Sequence, residues 1–447
     1  MDFISTSQFE LWLDGFLNCV KNPEKNIIRM SEYAKFFGNP HLAYRTIHVA
    51  GSKGKGSVTT MLASILREAG FTAGLYTSPH IVDFRERITM AGAFFDEKKY
   101  SSAYGKIISS FNAMLAEGVY FKPAWFEIVT MLAFLLFREE NLDWGVFETG
   151  IGGRLDSTNI IAPCVCVLMP IELEHCGILG NSIEEIAFEK AGIIKPQVPV
   201  FCFTQQEAAL QVFKEIADKK KAPFFYLPEI IDEFQFDISK EGGNITLKFS
   251  KNNPVGILFS RPIETTLPFF DEVQGMNACI AASVIKYLFH DIDETVIETG
   301  LKNASLQGRF EVIKNAPFVV LDGAHTMQSI QYCLKAYLSL VKRDDGILVF
   351  AAAKDKNTEM IAPLFSGKFS KIYLTIPGDF KASNLSKTTD DFNKHLIDSN
   401  TALSVSYNFD EVIKEAYIFS RNTNKPLLIT GSFYLVGEAK KHINALL

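Results

Sequence analysis

The stretch Val49-Ala50-Gly51-Ser52-Lys53-Gly54-Lys55-Gly56-Ser57 decides the fold of this 447-residue chain. It follows an apolar run, residues 44–50, that predicts a strand, and precedes a periodic segment, residues 58–69, that predicts an amphipathic helix. Glycines at such a junction let successive backbone N–H groups point at phosphate oxygens, and the helix N-terminus adds positive partial charge. The stretch therefore predicts a phosphate-binding loop.

Within this loop the glycines Gly51, Gly54 and Gly56 shape the backbone, Lys55 can reach the β- and γ-phosphates, and the Ser57 hydroxyl can meet Mg²⁺. The loop departs from the common form G-x-x-x-x-G-K-[ST], because Val49 occupies the first glycine position and Gly56 separates Lys55 from Ser57. A solvated glycine-rich turn is the alternative. The order of strand, loop and helix favours an enzyme that uses ATP and Mg²⁺.

Apolar strands, turns and amphipathic helices continue to alternate along the chain. Further strands are predicted at 71–76, 143–148 and 164–169, with helices at 101–116 and 124–139. This order predicts an α/β domain built on a largely parallel sheet with helices on both faces. Short alternating strands between 224 and 267, including 245–249 and 256–259, predict a small antiparallel appendage, and a helix at 272–289 closes the domain.

The alternation of apolar strands and amphipathic helices starts again near residue 310, with strands predicted at 318–321, 347–352, 371–375 and 426–429. Residues 291–300 form a polar connection or a short helix. We therefore predict an N-terminal domain over residues 1–300 and a smaller C-terminal α/β domain over residues 301–447.

Composition limits the class of protein. Hydrophobic residues make up 47% and charged residues 21%, as in a well-packed globular chain, and the net charge of −6 argues against nucleic acid or an anionic membrane as the main partner. No stretch approaches the ~20 apolar residues of a membrane-spanning helix. The seven cysteines are scattered without a C-x-x-C pair. We expect a cytoplasmic protein that acts as a monomer.

Polar residues follow three other segments of the first domain. Glu148 ends the strand 143–148 and precedes a glycine-rich run, His175 follows the strand 164–169, and Lys190 lies near the end of a helical stretch. The carboxyl ends of parallel strands meet at one crevice, where a nucleotide-bound Mg²⁺ needs oxygen ligands. Each residue taken singly has an ordinary alternative: a solvated Glu, a packed His, or a Lys that complements its helix dipole.

In the second domain Arg309 precedes the first strand, while Asp322 and His325 follow the strand 318–321. Arg309 could clamp a transferring phosphate, and Asp322 and His325 could handle protons. A surface ion pair and an Asp-initiated turn are the alternatives. Catalytic groups on a separate domain indicate an active site closed by domain movement.

Several ordered motifs resemble the folylpolyglutamate synthase/dihydrofolate synthase family of the Mur ligase superfamily. The motifs span residues from about 45 to 438; they are Gly51 to Ser57, Thr77-Ser78-Pro79-His80, Glu148 to Asn159, Glu189-Lys190-Ala191-Gly192-Ile193, Gly308-Arg309-Phe310, Asp322-Gly323-Ala324-His325, Lys354-Asp355-Lys356 and Thr430 to Glu438. The resemblance implies a P-loop N-terminal domain, a Rossmann-like C-terminal domain, and an active site between them.

The resemblance also implies roles for individual residues. Ser57, Ser78, Glu148 and His175 would ligate Mg²⁺, and Lys190 matches a lysine that the family carries as a carbamate. Asn277, Arg309 and Asp322 would contact the nucleotide. The pterin side of the substrate would lie near Phe126, Glu127, Leu155, Asp156 and Ser157. Thr326, where the family usually has Asn, and Glu174, where it usually has Asp, depart from the pattern.

The implied reaction is the ATP-dependent joining of L-glutamate to a folate or dihydropteroate carboxylate through an acyl phosphate. Activation is needed because a carboxylate is a poor electrophile. Two alternatives stay open: another amide-forming ligase of the superfamily, acting on a cell-wall or polyglutamate-like substrate, and a nucleotide-switched regulator. The absence of an Asn-Lys-x-Asp guanine signature at a strand end disfavours the regulator.

Overall fold

The computed structural model describes residues 3–17, 24, 26–116, 123–379, 381–396 and 401–446, and it forms two α/β domains. The first domain is built on a seven-stranded sheet in which only the β2–β3 pair is antiparallel. In the order β3-β2-β4-β1-β5-β6-β7, it comprises β1 (Arg45–Ala50), β2 (Ala73–Tyr76), β3 (Ile88–Met90), β4 (Trp144–Glu148), β5 (Val165–Leu168), β6 (Val200–Cys202) and β7 (Phe224–Tyr226). The predicted parallel sheet is confirmed.

Helices cover both faces of this sheet, because successive strand residues point to opposite sides. Val146 and the next residue, Phe147, belong to different hydrophobic cores, one on each face of the sheet. The helices of the domain are α1 (Thr6–Leu13), α2 (Asn26–Phe36), α3 (Lys55–Glu68), α4 (Glu97–Ala116), α5 (Trp125–Glu139), α6 (Cys176–Leu179), α7 (Ile183–Ala191), α8 (Glu207–Lys220), α9 (Leu227–Ile230), α10 (Glu272–Leu288) and α11 (Glu294–Lys302).

A three-stranded antiparallel sheet, β8 (Ile231–Ser239), β9 (Gly242–Phe249) and β10 (Ile263–Leu267), forms the predicted appendage. The prediction of a strand at 256–259 is wrong, because Gly256–Leu258 is a 3₁₀ turn. This turn brings Phe259 onto Phe249, with ring centroids 3.6 Å apart. The apolar residues that suggested a strand therefore belong to a turn, after which Phe259 stacks on Phe249.

The second domain carries a six-stranded sheet in the order β11-β12-β16-β13-β14-β15, parallel except for the β11–β12 pair. Its strands are β11 (Glu311–Asn315), β12 (Phe318–Asp322), β13 (Gly346–Phe350), β14 (Phe369–Leu374), β15 (Ala402–Val405) and β16 (Leu427–Thr430). Its helices are α12 (Met327–Val341), α13 (Thr358–Ile361), α14 (Leu385–Leu396), α15 (Phe409–Thr423) and α16 (Phe433–Leu446). The four inner strands were predicted, and the half-exposed edge strands β11 and β15 were not.

The passage between the domains lies just after α11. Leu301 is buried in the same core as Ile65, and Gly300 lies against Ile65 of α3, so α11 belongs to the first domain. The second sheet begins at Glu311. We propose that the chain changes domain within residues 303–310, a few residues after the boundary predicted from the sequence.

No helix in the described ranges is long and apolar enough to cross a lipid bilayer. The six cysteines within those ranges are free thiols, and Cys19 lies outside them.

A buried ion pair joins α10 to α11. The Lys286 Nζ lies 3.1 Å from the Glu294 Oε1, and both side chains are about 5% exposed. The Glu294 carboxylate also accepts hydrogen bonds from the backbone N–H and the hydroxyl of Ser260, at 2.8 and 3.0 Å. Three segments of the first domain therefore meet at one carboxylate.

We expect Glu294→Ala to lower the free energy of unfolding by about 2–3 kcal/mol, because it leaves the buried Lys286 ammonium without its counter-charge. Urea denaturation measures this loss. The control is Arg261→Ala, which removes a more exposed ion pair with Glu298 and should cost less than ~1 kcal/mol. Equal losses in the two variants would contradict a stabilising role for the buried pair.

Candidate active site

The predicted phosphate loop lies between β1 and α3. Its backbone is fixed by contact with the segment that follows β5, because the Ser52 N–H donates to the Pro170 carbonyl at 2.8 Å. A Cβ on Gly51 would lie 2.4 Å from the Met169 Cβ, and Gly54 adopts φ 80° directly before α3. Both positions need glycine, one for close approach and one for backbone conformation. Helix α3 begins at Lys55, three residues earlier than predicted.

Lys55 reaches back over the loop. Its Nζ donates to the Gly51 carbonyl at 2.9 Å and lies 3.9 Å from the Glu148 Oε1. Ser57 is buried two residues further along α3, and a Cβ on Gly56 would lie 3.4 Å from the Glu148 Oε2. Lys55 and Glu148 therefore lie close together at the N-terminus of α3, as predicted from the strand order, and Ser57 follows in the same helical turn.

Glu148 is a buried carboxylate at the end of β4. Its Oε2 accepts a hydrogen bond from the Ser78 backbone N–H at 3.0 Å. Burial raises the pKa of Glu148, and the nearby Lys55 ammonium opposes that rise. A buried carboxylate whose charge is only partly compensated attracts a cation, and the oxygens of Ser57, Ser78 and Glu148 are hard donors of the kind that Mg²⁺ prefers. The residues at this position fit Mg²⁺.

His175 is the remaining predicted metal ligand. It directly precedes the short helix α6 with φ 50°, and its carbonyl accepts hydrogen bonds from the Ile178 and Leu179 N–H groups. Its side chain is exposed and makes no hydrogen bond with any residue that the structure describes. Its role as a metal ligand stays a prediction.

Lys190, near the end of α7, is almost fully buried. Its Nζ donates to the Gly51 carbonyl at 2.8 Å and to the Glu174 Oε1 at 2.8 Å. Burial and the neighbouring Lys55 lower the pKa of Lys190 to about 8, although Glu174 opposes the shift. The carboxylate of the preceding residue, Glu189, pairs with Arg154 at 2.8 Å rather than with Lys190.

A cavity of about 480 Å³ separates the phosphate loop from the second domain. Gly54, Ser57 and Asn277 line it on one side, and Arg309, Asp322 and His325 line it on the other. The Asn277 Oδ1 is buried without a hydrogen-bond partner among the described residues, so it can accept one from an amino group of a ligand. The nucleotide residues predicted from both domains therefore face one cavity.

The groups from the second domain are held in fixed orientations. The Asp322 carboxylate accepts hydrogen bonds from the Phe310 and Ala324 N–H groups, both at 2.7 Å, and burial raises its pKa. The Arg309 guanidinium lies 4.6 Å from the centroid of the Phe433 ring. The His325 Nδ1 lies 2.8 Å from the Gly323 carbonyl and donates to it, which leaves Nε2 as an acceptor. Burial lowers the pKa of His325 to about 4, so the ring is neutral near pH 7.

The predicted substrate residues lie around the loop after β4. The buried Asp156 carboxylate accepts hydrogen bonds from the Gly150 N–H at 2.9 Å and the Ile151 N–H at 3.2 Å. Phe126 packs against Gly150, whereas Glu127 bonds to Arg29 at 2.9 Å and to the Ala124 N–H at 2.7 Å. Asp156 and Glu127 thus shape the backbone here. Ser157 is buried and Leu155 is half-buried in the same loop.

Asp271 was missed by the sequence reasoning. It caps α10, where its carboxylate accepts a hydrogen bond from the Gln274 N–H at 3.0 Å, and it lines the nucleotide cavity. Burial raises its pKa to about 6, with Asp322 adding to the rise. The pattern Asp-x-x-Gln before a helix could have indicated the cap. Its approach to Asp322 depends on the packing of the two domains.

Comparison with known proteins agrees with this geometry. The chain is 33% identical over 438 residues to the dihydrofolate synthase/folylpolyglutamate synthase of Bacillus subtilis, and the match covers 97% of each chain. Residues 308–433 match the Mur ligase, glutamate ligase domain. This chain belongs to the folylpolyglutamate synthase/dihydrofolate synthase family. It is an ATP-dependent ligase of the Mur ligase type.

Three further comparisons support the membership. The folylpolyglutamate synthase of Lacticaseibacillus casei is 30% identical over 411 residues, which cover 90% of this chain and 91% of the relative. The crystal structure of the folylpolyglutamate synthase of Thermotoga maritima superposes with a TM-score of 0.80 at 29% identity, over 99% of this chain and 97% of that one. A solved FPGS complex with AMPPCP and folate superposes with a TM-score of 0.79 at 26% identity, over 99% of this chain and 100% of that one.

We expect Lys55→Ala to abolish turnover while the fold stays intact, because the Lys55 ammonium contributes charge at the phosphate loop and little packing. The loss of kcat should exceed a hundredfold, on the order expected for removing a cation that contacts a transferring phosphate. Steady-state kinetics and a thermal melt measure the two effects. A folded Lys55→Ala protein with wild-type kcat would remove the loop from the reaction.

Proposed function

We propose that this ligase uses ATP to join L-glutamate to the carboxylate of folate or dihydropteroate. The proposal depends mainly on the cavity in which Gly54 and Ser57 of the phosphate loop face Arg309 and His325 of the second domain. The full-length similarity to enzymes named for folate substrates favours this acceptor over a cell-wall substrate. The same similarity disfavours a nucleotide-switched regulator.

The reaction has two steps. An oxygen of the acceptor carboxylate attacks the γ-phosphorus of ATP; the bond from that phosphorus to the bridging oxygen breaks, and ADP leaves. The ammonium of L-glutamate first loses a proton to water, and the neutral amine attacks the acyl carbon. The carbon–oxygen bond to phosphate then breaks, the nitrogen gives its second proton to the departing phosphate, and an amide and inorganic phosphate result. Both steps concentrate negative charge on phosphate oxygens, which the Lys55 ammonium and the Arg309 guanidinium stabilise.

Mg²⁺ would neutralise charge on the ATP phosphates when bound. Ser57, Ser78, Glu148 and His175 are the residues that we propose to hold it. Asn277 and Asp322 would bind the nucleotide, and the loop containing Leu155, Asp156 and Ser157, together with Phe126 and Glu127, would position the acceptor. The neutral His325 offers its Nε2 as an acceptor and so can orient the glutamate amine. Because all of these groups belong to one chain, we propose that it acts as a monomer.

ADP release tests the proposal directly. With Mg-ATP and L-glutamate present, release of ADP should require either dihydropteroate or tetrahydrofolate as the acceptor, and chelation of Mg²⁺ by EDTA should stop it. The acceptor that supports turnover tells whether one or both activities are present. ADP release that is independent of both glutamate and acceptor would overturn the proposal.

We also propose that Lys190 is carried as a carbamate. An amine adds CO₂ only when it is neutral, and a pKa of about 8 leaves about a tenth of Lys190 neutral at pH 7. Addition replaces an ammonium by an anionic group with two oxygens. Those oxygens would attract the Lys55 ammonium, which lies near the same Gly51 carbonyl, whereas an ammonium on Lys190 repels it.

Lys190→Ala should be nearly inactive and partly rescued by acetate, because a short carboxylate can replace the anionic carbamate. Lys55→Ala is the control and should gain nothing from acetate. A ¹³C resonance from labelled bicarbonate, present in the wild type and absent from Lys190→Ala, checks the modification without an activity assay. Rescue of Lys190→Ala by a small amine would contradict the carbamate.

A further inference from the structure

The loop that joins β2 to β3, residues 77–87, touches both domains. At one end, the Ser78 N–H holds the Glu148 carboxylate at 3.0 Å. In the middle, Ile81 packs against the core of the second domain, which includes Val436 of α16. A side chain of the first domain is therefore seated in the other domain, on the loop that supports a proposed metal ligand.

Two glycines of the second domain make room for Ile81. A Cβ on Gly308 would lie 2.6 Å from the Ile81 Cδ1, and a Cβ on Gly437 would lie 2.4 Å from the Ile81 carbonyl oxygen. Gly437 lies inside α16 and does not take a positive φ, so its backbone conformation does not need glycine. Glycine inside a helix costs about 1 kcal/mol relative to alanine. The close approach of Ile81 accounts for its presence.

The loop around Ile81 is too constrained to absorb a displacement. The Glu86 carboxylate accepts hydrogen bonds from three successive N–H groups, those of Ile81 at 2.7 Å, Val82 at 3.1 Å and Asp83 at 2.9 Å. The Thr77 N–H donates to the Arg87 carbonyl at 3.0 Å and closes the base of the loop. We expect these bonds to transmit a displacement of Ile81 to Ser78 and, through it, to Glu148.

Arg309 directly follows Gly308, so the glycine that contacts Ile81 adjoins a guanidinium that lines the proposed nucleotide cavity. A second cavity, of about 150 Å³, is lined by Ser78, Ile81 and Glu148 from the first domain and by Arg309 and Phe433 from the second. The contact of Ile81 with Gly308 and Gly437 thus lies beside the place where the proposed reacting groups of the two domains meet.

We propose that Ile81 is a positioning residue: its contacts with Gly308 and Gly437 set the distance between Arg309 and the Glu148 side of the active site. This inference rests on the proposed function, because the reaction supplies its readout. It predicts that a methyl group added at Gly308 or Gly437 lowers kcat strongly while the melting temperature changes little.

The first test pairs Gly308→Ala with Ile81→Val, which removes the Cδ1 that the new methyl would meet. We expect Gly308→Ala to lower kcat for glutamate-dependent ADP release by about tenfold or more, since misplacement by about 1 Å costs on the order of a hundredfold. Ile81→Val alone loosens the contact without creating a clash, so it should lower kcat less than Gly308→Ala does, and the double variant should recover several-fold over Gly308→Ala. Alanine at position 308 also strains the backbone, because φ is 66° there, and Ile81→Val does not relieve that strain. A recovery of kcat in the double variant therefore measures only the clash with the Ile81 Cδ1.

The second test is Gly437→Ala, whose methyl meets the Ile81 backbone oxygen. We expect a similar fall in kcat that Ile81→Val does not relieve, because valine keeps that oxygen. Gly15→Ala is the control, since among the residues that the structure describes a methyl there meets no atom within 4 Å, and the two variants should melt within a few degrees of each other. If Gly437→Ala does not fold, the Gly308→Ala pair carries the test.

Wild-type kcat in Gly437→Ala, or no recovery of Gly308→Ala by Ile81→Val, would overturn the inference. A fall in kcat that only follows a fall in melting temperature would also overturn it, because that result indicates a structural role. Failure of the proposed function is distinguishable, since the wild-type enzyme would then show no glutamate-dependent ADP release.

Discussion

The carbonyl oxygen of Gly51 accepts hydrogen bonds from two ammonium groups, Lys55 at 2.9 Å and Lys190 at 2.8 Å. Lys55 belongs to the helix that follows the phosphate loop. Lys190 belongs to α7 and lies 139 residues after Gly51 in the chain. This shared acceptor ties the loop to the far side of the sheet. It also holds two like charges together in a partly dry site, where their repulsion is strong.

The rest of the active site balances those charges. Glu148 lies 3.9 Å from Lys55, and Glu174 lies 2.8 Å from Lys190, so each ammonium has one carboxylate of its own. Burial shifts two of these groups, Glu148 and Lys190, toward their neutral forms: the pKa of Glu148 rises and that of Lys190 falls. Lys55 can therefore stabilise the phosphates of an anionic nucleotide, because the Glu148 carboxylate lies 3.9 Å away and burial raises its pKa.

The second domain adds its groups through rigid contacts. Asp322 is fixed by two backbone N–H donors, and Arg309 is stacked on Phe433, so neither needs to reorganise when a ligand binds. The position of the whole domain then decides how far these groups lie from the phosphate loop. The seat of Ile81 between Gly308 and Gly437 links that position to the loop that holds Glu148.

The sequence by itself determined the phosphate loop, the parallel sheet and the inner strands of the second sheet, because these depend on local glycine placement and on continuous apolar runs. It did not indicate the edge strands β11 and β15, whose half-exposed residues lack such a run.

Residue types at the strand end and in the phosphate loop predicted that Glu148 and Lys55 lie close together. Only the tertiary structure decided that Lys190 pairs with Glu174, that Asp271 approaches Asp322, and that Ile81 enters the second domain. Those contacts join residues distant in the chain, and packing and desolvation, which no local pattern encodes, select the partners.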